Sequence, residues 1–465
     1  MDKLLFTFSL WAAKLISLTI SIFHIGQASN FPGKIALKLQ KDFLRHFTIK
    51  KDCKIILVTG TNGKSTTCGL LANILKKTAK KVIYNKSGAN LLSGIASTFC
   101  HYSNLFGNLT YDYIILEVDE ASLQYLTPSL QPNIIAVTNL FRDQLDRYGE
   151  LDTTARLIEN SLNYKNTTVI LNADDARVSF LKTENKKIFY GVEMERISES
   201  AASGWQTGDN DWLCDPEEVT TCPKCNTNLI FNKKNLTHLG DYKCSKCNLK
   251  RPELNFLISN FKADNITINF DLIYENHKHN FFLPMIGIFN LYNALCAITI
   301  AKTISDITPV QIQKGLDSYS TIVGRGEKIN AGNKTAWIYL IKNPTGTTEV
   351  LKTLSQNSNS RFLIAINDNY ADGRDVSWLW DARFDILANH KKEIFVSGKR
   401  AYDMALRLKY AGLNPNQIKV NNKITHAIDQ ATKSIRENET LYVLPTYTVL
   451  LEMQRKGICK SQPLN

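Results

Sequence analysis

Residues 58 to 67 read Val58-Thr-Gly-Thr-Asn-Gly-Lys-Ser-Thr-Thr67. They follow the apolar run Lys54 to Leu57 and precede the helical pattern Cys68 to Lys77, so a glycine-bearing loop joins a strand to a helix. Gly60 and Gly63 let the backbone turn sharply and aim N–H groups at a phosphate, and the helix adds its positive N-terminal end. Gly60, Thr61, Asn62, Gly63, Lys64, Ser65 and Thr66 therefore form a candidate phosphate loop. Lys64 would carry its charge to the β- and γ-phosphates, and the Ser65 hydroxyl would hold a magnesium ion. A plain glycine turn with a solvated lysine is the competing reading. The strand, loop and helix context favours a nucleotide, ATP or GTP.

Outward from this loop the pattern alternates. Strand-like runs at Lys81 to Asn85, Tyr113 to Val118, Asn133 to Thr138 and Thr168 to Asn172 are separated by helical stretches. Such alternation predicts an α/β fold, doubly wound around a mostly parallel sheet. Ligands of these sheets sit at the carboxyl ends of strands, where the loop, Glu117 to Glu120 and Thr138 to Asp146 all fall. Near Gly204 the alternation stops and Cys222-Pro-Lys-Cys225 appears, followed after eighteen residues by Cys244-Ser-Lys-Cys247. Two such knuckles suit a tetrahedral four-cysteine zinc ribbon, structural or a docking knob because four thiolates leave no open position; chance or redox cysteines are the competing reading. Strand-like Leu254 to Phe261, Ile266 to Ile273 and Phe281 to Met285 come next, then a helix over Ile288 to Thr303. After a hinge candidate at Val323-Gly-Arg-Gly-Glu327, runs at Ala336 to Ile341, Phe362 to Ile366, Glu393 to Ser397 and Thr440 to Leu444 predict a second, smaller α/β domain. The expected division is a basic N-terminal segment (1–50), a central nucleotide domain (51–320) with a ribbon insertion (214–253), and a C-terminal domain (321–465).

A chain of 465 residues exceeds one hydrophobic core, and 44% hydrophobic residues suffice for several. Net charge is +13, and the first 51 residues hold eight basic side chains against Asp2 and Asp42. No RNA-reading motif accompanies this bias, so an acidic membrane face is the preferred anionic partner and nucleic acid is not expected. Leu4 to Ile25 is apolar and nearly long enough to span a bilayer, yet it carries Lys14 at its centre. On a helical wheel Lys14, Ser17, Ser21, His24 and Ala28 share one stripe. That suits a helix in the interface or packed on the body; a spanning helix or signal peptide is the less favoured reading. The six remaining cysteines show no disulfide framework, which agrees with a cytoplasmic address, peripheral at the inner face of the membrane.

Six segments in order resemble the Mur ligase family, which activates carboxylates as acyl phosphates. They are Gly60 to Ser65, Glu117 to Ser122, Thr138 to Asp146, Asn172 to Asp175, Gly287 to Asn293, and Gly324-Arg325. The resemblance implies ATP bound by the loop, with Asn293 at the adenine edge and Arg325 near the phosphates, and Mg2+ on Ser65 and Glu117. A strand-end surface carboxylate, a helix-face amide and a solvated hinge cation are the bland readings of Glu117, Asn293 and Arg325. Asn172 and Asp174 are expected to shape a turn. Gln144 and Ile158 replace the histidine and modified lysine usual in amino-acid-adding members, which puts a second magnesium in doubt.

The ribbon, Lys342-Asn-Pro-Thr-Gly346 and Asn367 to Trp378 extend the likeness over nearly the whole chain, to the MurT family, the Mur-ligase-like subunits of lipid II isoglutaminyl synthase. This resemblance implies amidation of the D-glutamate α-carboxylate of lipid II, with ammonia from a GatD-type glutaminase in a heterodimer. It also implies that Asp375 is lent to the glutaminase, where an acceptor must orient a histidine. Asp368 or Asp372 could fill that place, or the run could be a polar turn before a Trp378 helix. Trp378 and Trp380 are expected to pack. A stand-alone ligase of the Mur or folylpolyglutamate type and a non-catalytic module are the competing functions.

Overall fold

The structure, a computed structural model, describes residues 2–23, 30–85, 89–141, 151–193, 221–263, 267–319, 325–331, 334–355 and 357–459. Gln144, Asp146, Cys214, Val323 and Gly324 lie outside them.

The apolar runs of the central region assemble into one nine-stranded sheet. From one edge its order is His277–Leu283, Ile268–Tyr274, Phe256–Ala263, Lys187–Val192, Thr168–Asn172, Ile134–Val137, Lys54–Thr59, Tyr113–Glu117 and Val82–Tyr84. The last seven are mutually parallel and the first two extend the edge as an antiparallel hairpin. Strands such as Tyr113–Glu117 and Ile134–Val137 are buried at every position, as a parallel sheet covered on both faces requires. One face carries the helices Lys64–Lys76 and Ile288–Ile304, the other the helix Leu92–Tyr102 and the N-terminal helices. The Lys54–Thr59 strand sits between Ile134–Val137 and Tyr113–Glu117, so the ends of both neighbours flank the loop that follows it.

A second sheet of six strands runs Arg325–Ala331, Lys334–Tyr339, Thr440–Pro445, Ser360–Ala365, Ile394–Ser397 and Ile418–Val420, parallel except for the first pair. Sequence patterning did not single out Lys187–Val192, Arg325–Ala331 or Ile418–Val420. Ile418–Val420 is only three residues long and Arg325–Ala331 is mostly polar, so neither carries an apolar run. The expected hinge is corrected at its second half: Arg325 to Glu327 already belong to a strand, with a register shift around Gly326, whose φ is +86°.

At the N-terminus, Asp2–Phe23 packs through Phe6, Leu10 and Ala13. The polar stripe turns toward the protein at Lys14, whose Nζ donates to the carbonyls of Cys100 and Ser103 at the end of the Leu92–Tyr102 helix. A cation there satisfies carbonyls the helix leaves open. The outward face is apolar instead: Leu4, Phe8, Trp11, Leu15, Leu18 and Ile22 are exposed, Leu15 by 66%. By length and composition the stretch Asp2–Ile20 could cross a membrane.

Candidate functional site

Gly60 and Gly63 both have positive φ, +116° and +86°, and both are pressed by neighbours. A Cβ on Gly60 would run into Thr138 Oγ1, and one on Gly63 would run into Asn293 Oδ1, each nearer than side chains tolerate. Glycine is thus required twice over, for conformation and for space. The segment after the Ile134–Val137 strand braces the loop. Asn139 accepts from Thr61 N through its carbonyl and from Asn62 N through its side chain, both at 2.9 Å, and Thr138 Oγ1 donates to the Asn62 carbonyl at 2.8 Å. Among the described residues no side chain caps the Lys64–Lys76 helix. Its first N–H groups remain available to an anion.

Lys64 is buried and bonds back to the Gly60 and Thr61 carbonyls and to Glu120 Oε1 at 2.9 Å. Burial opposes its charge, but Glu120 and Glu117 outweigh that, and its pKa is raised. Glu120 is pushed up by burial and held back by Lys64. Glu117 closes the neighbouring strand, where Asn85 fixes its backbone on both sides. Its Oε2 is buried without a hydrogen-bond partner among the described residues. A buried carboxylate oxygen left open at the foot of a phosphate loop, with buried Ser65 in the same loop, is a donor set that fits Mg2+.

The C-terminal domain reaches this loop. Lys342 Nζ lies 3.5 Å from the Thr61 carbonyl, and Asn343 Nδ2 donates to Asn62 Oδ1 at 3.1 Å, across 281 residues in each case. Between the loop, the start of the Ile288–Ile304 helix and Lys342–Gly346 opens a cleft of about 100 Å³. Asn293 lines it, held by a bond to Asn290 Oδ1 at 3.2 Å. Arg325 begins its strand opposite Tyr339, another lining residue. Ile158, fully buried among apolar side chains, offers no donor. Glu120, Asn139, Lys342 and Asn343 carry the site yet received no role from sequence, because their partners are remote in the chain.

Asn172 and Asp174 do shape a junction. Asp174, fully buried, accepts from Tyr292 Oη at 2.5 Å, Val192 N at 2.9 Å and Arg251 at 3.0 Å. Burial raises its pKa to about 6 against the pull of Arg251 and these donors. The four cysteines stand at one end of the hairpin Leu229–Leu236/Leu239–Cys244, their sulfurs all within 4.8 Å of one another. Cys222 to Cys247 and Cys225 to Cys244 are each 3.5 Å, too long for disulfides. Four thiolates around zinc at ~2.3 Å would sit about 3.8 Å apart, so the cluster fits a tetrahedral ion.

After the Ser360–Ala365 strand of the C-terminal domain, Asp368 is paired with Arg400 at 2.8 Å. Asp372 is buried and accepts from Thr448 N at 2.7 Å and Asn369 N at 3.1 Å, and burial raises its pKa. Asp375 is exposed, its bonds among the described residues running to Ser377 N at 2.8 Å and Ser377 Oγ at 2.9 Å before the Trp378–Asp381 helix. Of the expected packing tryptophans, Trp378 is half-buried against the domain core, whereas Trp380 is 52% exposed, edge-on to Tyr410.

Residues 58–214 match the Mur ligase middle domain, and residues 340–450 match the MurT ligase C-terminal domain. A Streptococcus pneumoniae relative named lipid II isoglutaminyl synthase (glutamine-hydrolyzing) subunit MurT is 33% identical over 93% of this chain and 92% of its own. This chain belongs to the MurT family. A Staphylococcus aureus MurT subunit is 32% identical over 92% of each chain. Among solved structures, a pseudomurein peptide ligase type C from Methanothermus fervidus superposes with TM-score 0.65 at 22% identity, covering 90% of this chain and 80% of that one. MurF from Acinetobacter baumannii gives 0.62 at 15% identity, over 92% and 81%. Both likenesses concern the fold, which in this chain is that of the Mur ligases.

Proposed function

We propose that this chain is the synthetase subunit of a glutamine-hydrolysing lipid II isoglutaminyl synthase, an ATP-dependent carbon–nitrogen ligase of peptidoglycan synthesis. The observation that carries the reading is the coexistence of a fully braced phosphate loop with full-length similarity to relatives named as the MurT subunit. Gly60 to Thr66 would cradle the phosphates of ATP, with Lys64 leaving Glu120 to meet them, Asn293 toward the adenine and Arg325 toward the phosphates. A magnesium ion on Ser65 and Glu117 would supply further positive charge where the negative groups meet. The α-carboxylate of the D-glutamate of lipid II attacks the γ-phosphorus, the bond to the bridging oxygen breaks, and ADP leaves. Ammonia then forms a C–N bond at the acyl carbon, loses a proton, and expels phosphate to leave D-isoglutamine. Lys64 and the helix N-terminus would lower both barriers by meeting developing charge.

The ammonia would come from a GatD-type glutaminase partner. Asp375 is the exposed carboxylate of its turn and would accept from a histidine of that partner, holding its tautomer while a thiol is activated. Exposed Tyr370, Trp380, Tyr402 and Tyr410 on the same domain suit a partner surface. Zinc on Cys222, Cys225, Cys244 and Cys247 would be structural. The apolar outer face of the Asp2–Phe23 helix, with Lys3, Lys34, Lys38 and Lys41 nearby in sequence, supports a position at the cytoplasmic face of the membrane beside a lipid-linked substrate. Full-length similarity to proteins named as subunits disfavours a stand-alone ligase.

Reconstitution tests this reading. Chain, glutaminase, ATP, glutamine and lipid II should yield amidated lipid II with stoichiometric ADP and phosphate. Amide formation from a free amino acid without a partner would refute it.

A further inference from the structure

The ribbon hairpin points its turn, not its cysteines, at the nucleotide cleft. Hairpin turns usually face water. Here Asn235, Leu236, Thr237, His238 and Leu239 are all buried, and Leu236 and Leu239 line the cleft beside Phe289, Tyr292 and Asn293. The turn is seated by His238 edge-on to Phe141 at 4.6 Å, by Asn235 Nδ2 donating to the Val192 carbonyl at 2.8 Å, and by Gly240 N donating to the Asp174 carbonyl at 2.9 Å. Three polar atoms there have no partner among the described residues: Asn235 Oδ1, Thr237 Oγ1 and His238 Nδ1. Such open polar atoms are uncommon in a buried turn, and Thr237 adds a left-handed φ of +48°, so the turn is held in an unusual conformation at this place.

A strand of eight residues spans roughly 23 Å, and a two-stranded hairpin is marginal on its own. This one is held at one end by the four sulfurs and at the other by the cleft. We propose that the ribbon turn from Leu236 to Leu239 is the apolar wall of the purine subsite, and that metal at the tetrathiolate sets affinity for the nucleoside part of ATP. The proposal deepens the nucleotide reading of the cleft and rests on it. The ligand is a purine nucleoside triphosphate, whose base would lie on the two leucines while the loop takes the phosphates.

The test compares ATP with inorganic tripolyphosphate, which has phosphates and no base, as ligands of the full chain by titration calorimetry. Leu236→Ala should weaken ATP on the order of tenfold and leave tripolyphosphate within about twofold, with Leu236→Met restoring ATP. Removing the ribbon metal with a chelator, followed by magnesium, should do the same. Unchanged ATP affinity in both, or equal loss of both ligands, overturns the proposal. The underlying reading fails separately, if the unmodified chain binds ATP no better than Lys64→Ala does.

Discussion

The phosphate loop and the Asp368 to Asp375 turn are both polar segments at strand ends, and they are built in opposite ways. In the loop the framework is fixed while the helix N–H groups stay open: Asn139 holds Thr61 and Asn62, Lys64 lies on Glu120, and glycines are wedged against Thr138 and Asn293. In the turn Asp368 and Asp372 are spent on Arg400 and Thr448, whereas Asp375 stands in solvent beside its own Ser377. The first has the form of a finished site awaiting a small ligand. The second leaves one carboxylate exposed at the surface of its domain.

The contrast breaks most sharply at Lys64. Lys64→Ala should lower amidation by roughly 10³-fold with either glutamine or free ammonia, since both routes share one acyl-phosphate step. Gel filtration should show the complex with the glutaminase intact. Asp375→Asn should lower glutamine-driven turnover by roughly 10²-fold or more and spare the ammonia route. A weaker effect is expected at the membrane face. Leu15→Glu with Leu18→Glu should reduce binding to anionic vesicles by about tenfold or more in sedimentation assays, and unchanged binding would rule out that face as the anchor.

A separate effect, on stability rather than on turnover, concerns Asp174. Its folded pKa of about 6 exceeds the ordinary 3.8, so between these values the folded state binds more protons and stability falls as pH rises. That loss amounts to at most about 3 kcal/mol. Asp174→Asn should remove this slope, so that the gap between its denaturation midpoint and that of the unmodified chain narrows from about pH 4 to about pH 6. A gap independent of pH would contradict it.

Sequence made the local features legible. The Gly60 to Ser65 loop, the strands on either side and the paired cysteines announce themselves through spacing and apolar runs, because each depends on neighbours in the chain. What stayed hidden is what the fold brings together across distance. Lys342 and Asn343 meet Thr61 and Asn62 only through docking of the second domain, and Leu236 reaches the cleft only because Asp174, Arg251 and Tyr292 seat the ribbon. The wheel of the N-terminal helix separated its two faces but not their direction, since the pull of the Cys100 and Ser103 carbonyls on Lys14 decides which face turns inward.

One measurement sets both halves against each other. In the reconstituted complex, unmodified chain, Lys64→Ala and Asp375→Asn are each supplied with amide-15N-glutamine or with 15N-ammonium, and the label in lipid II is read by mass spectrometry. The account predicts label from both sources in the unmodified chain, from neither in Lys64→Ala, and from ammonium alone in Asp375→Asn. Equal loss of both labels in Asp375→Asn would contradict a division between an ATP site in the central domain and a borrowed carboxylate in the other.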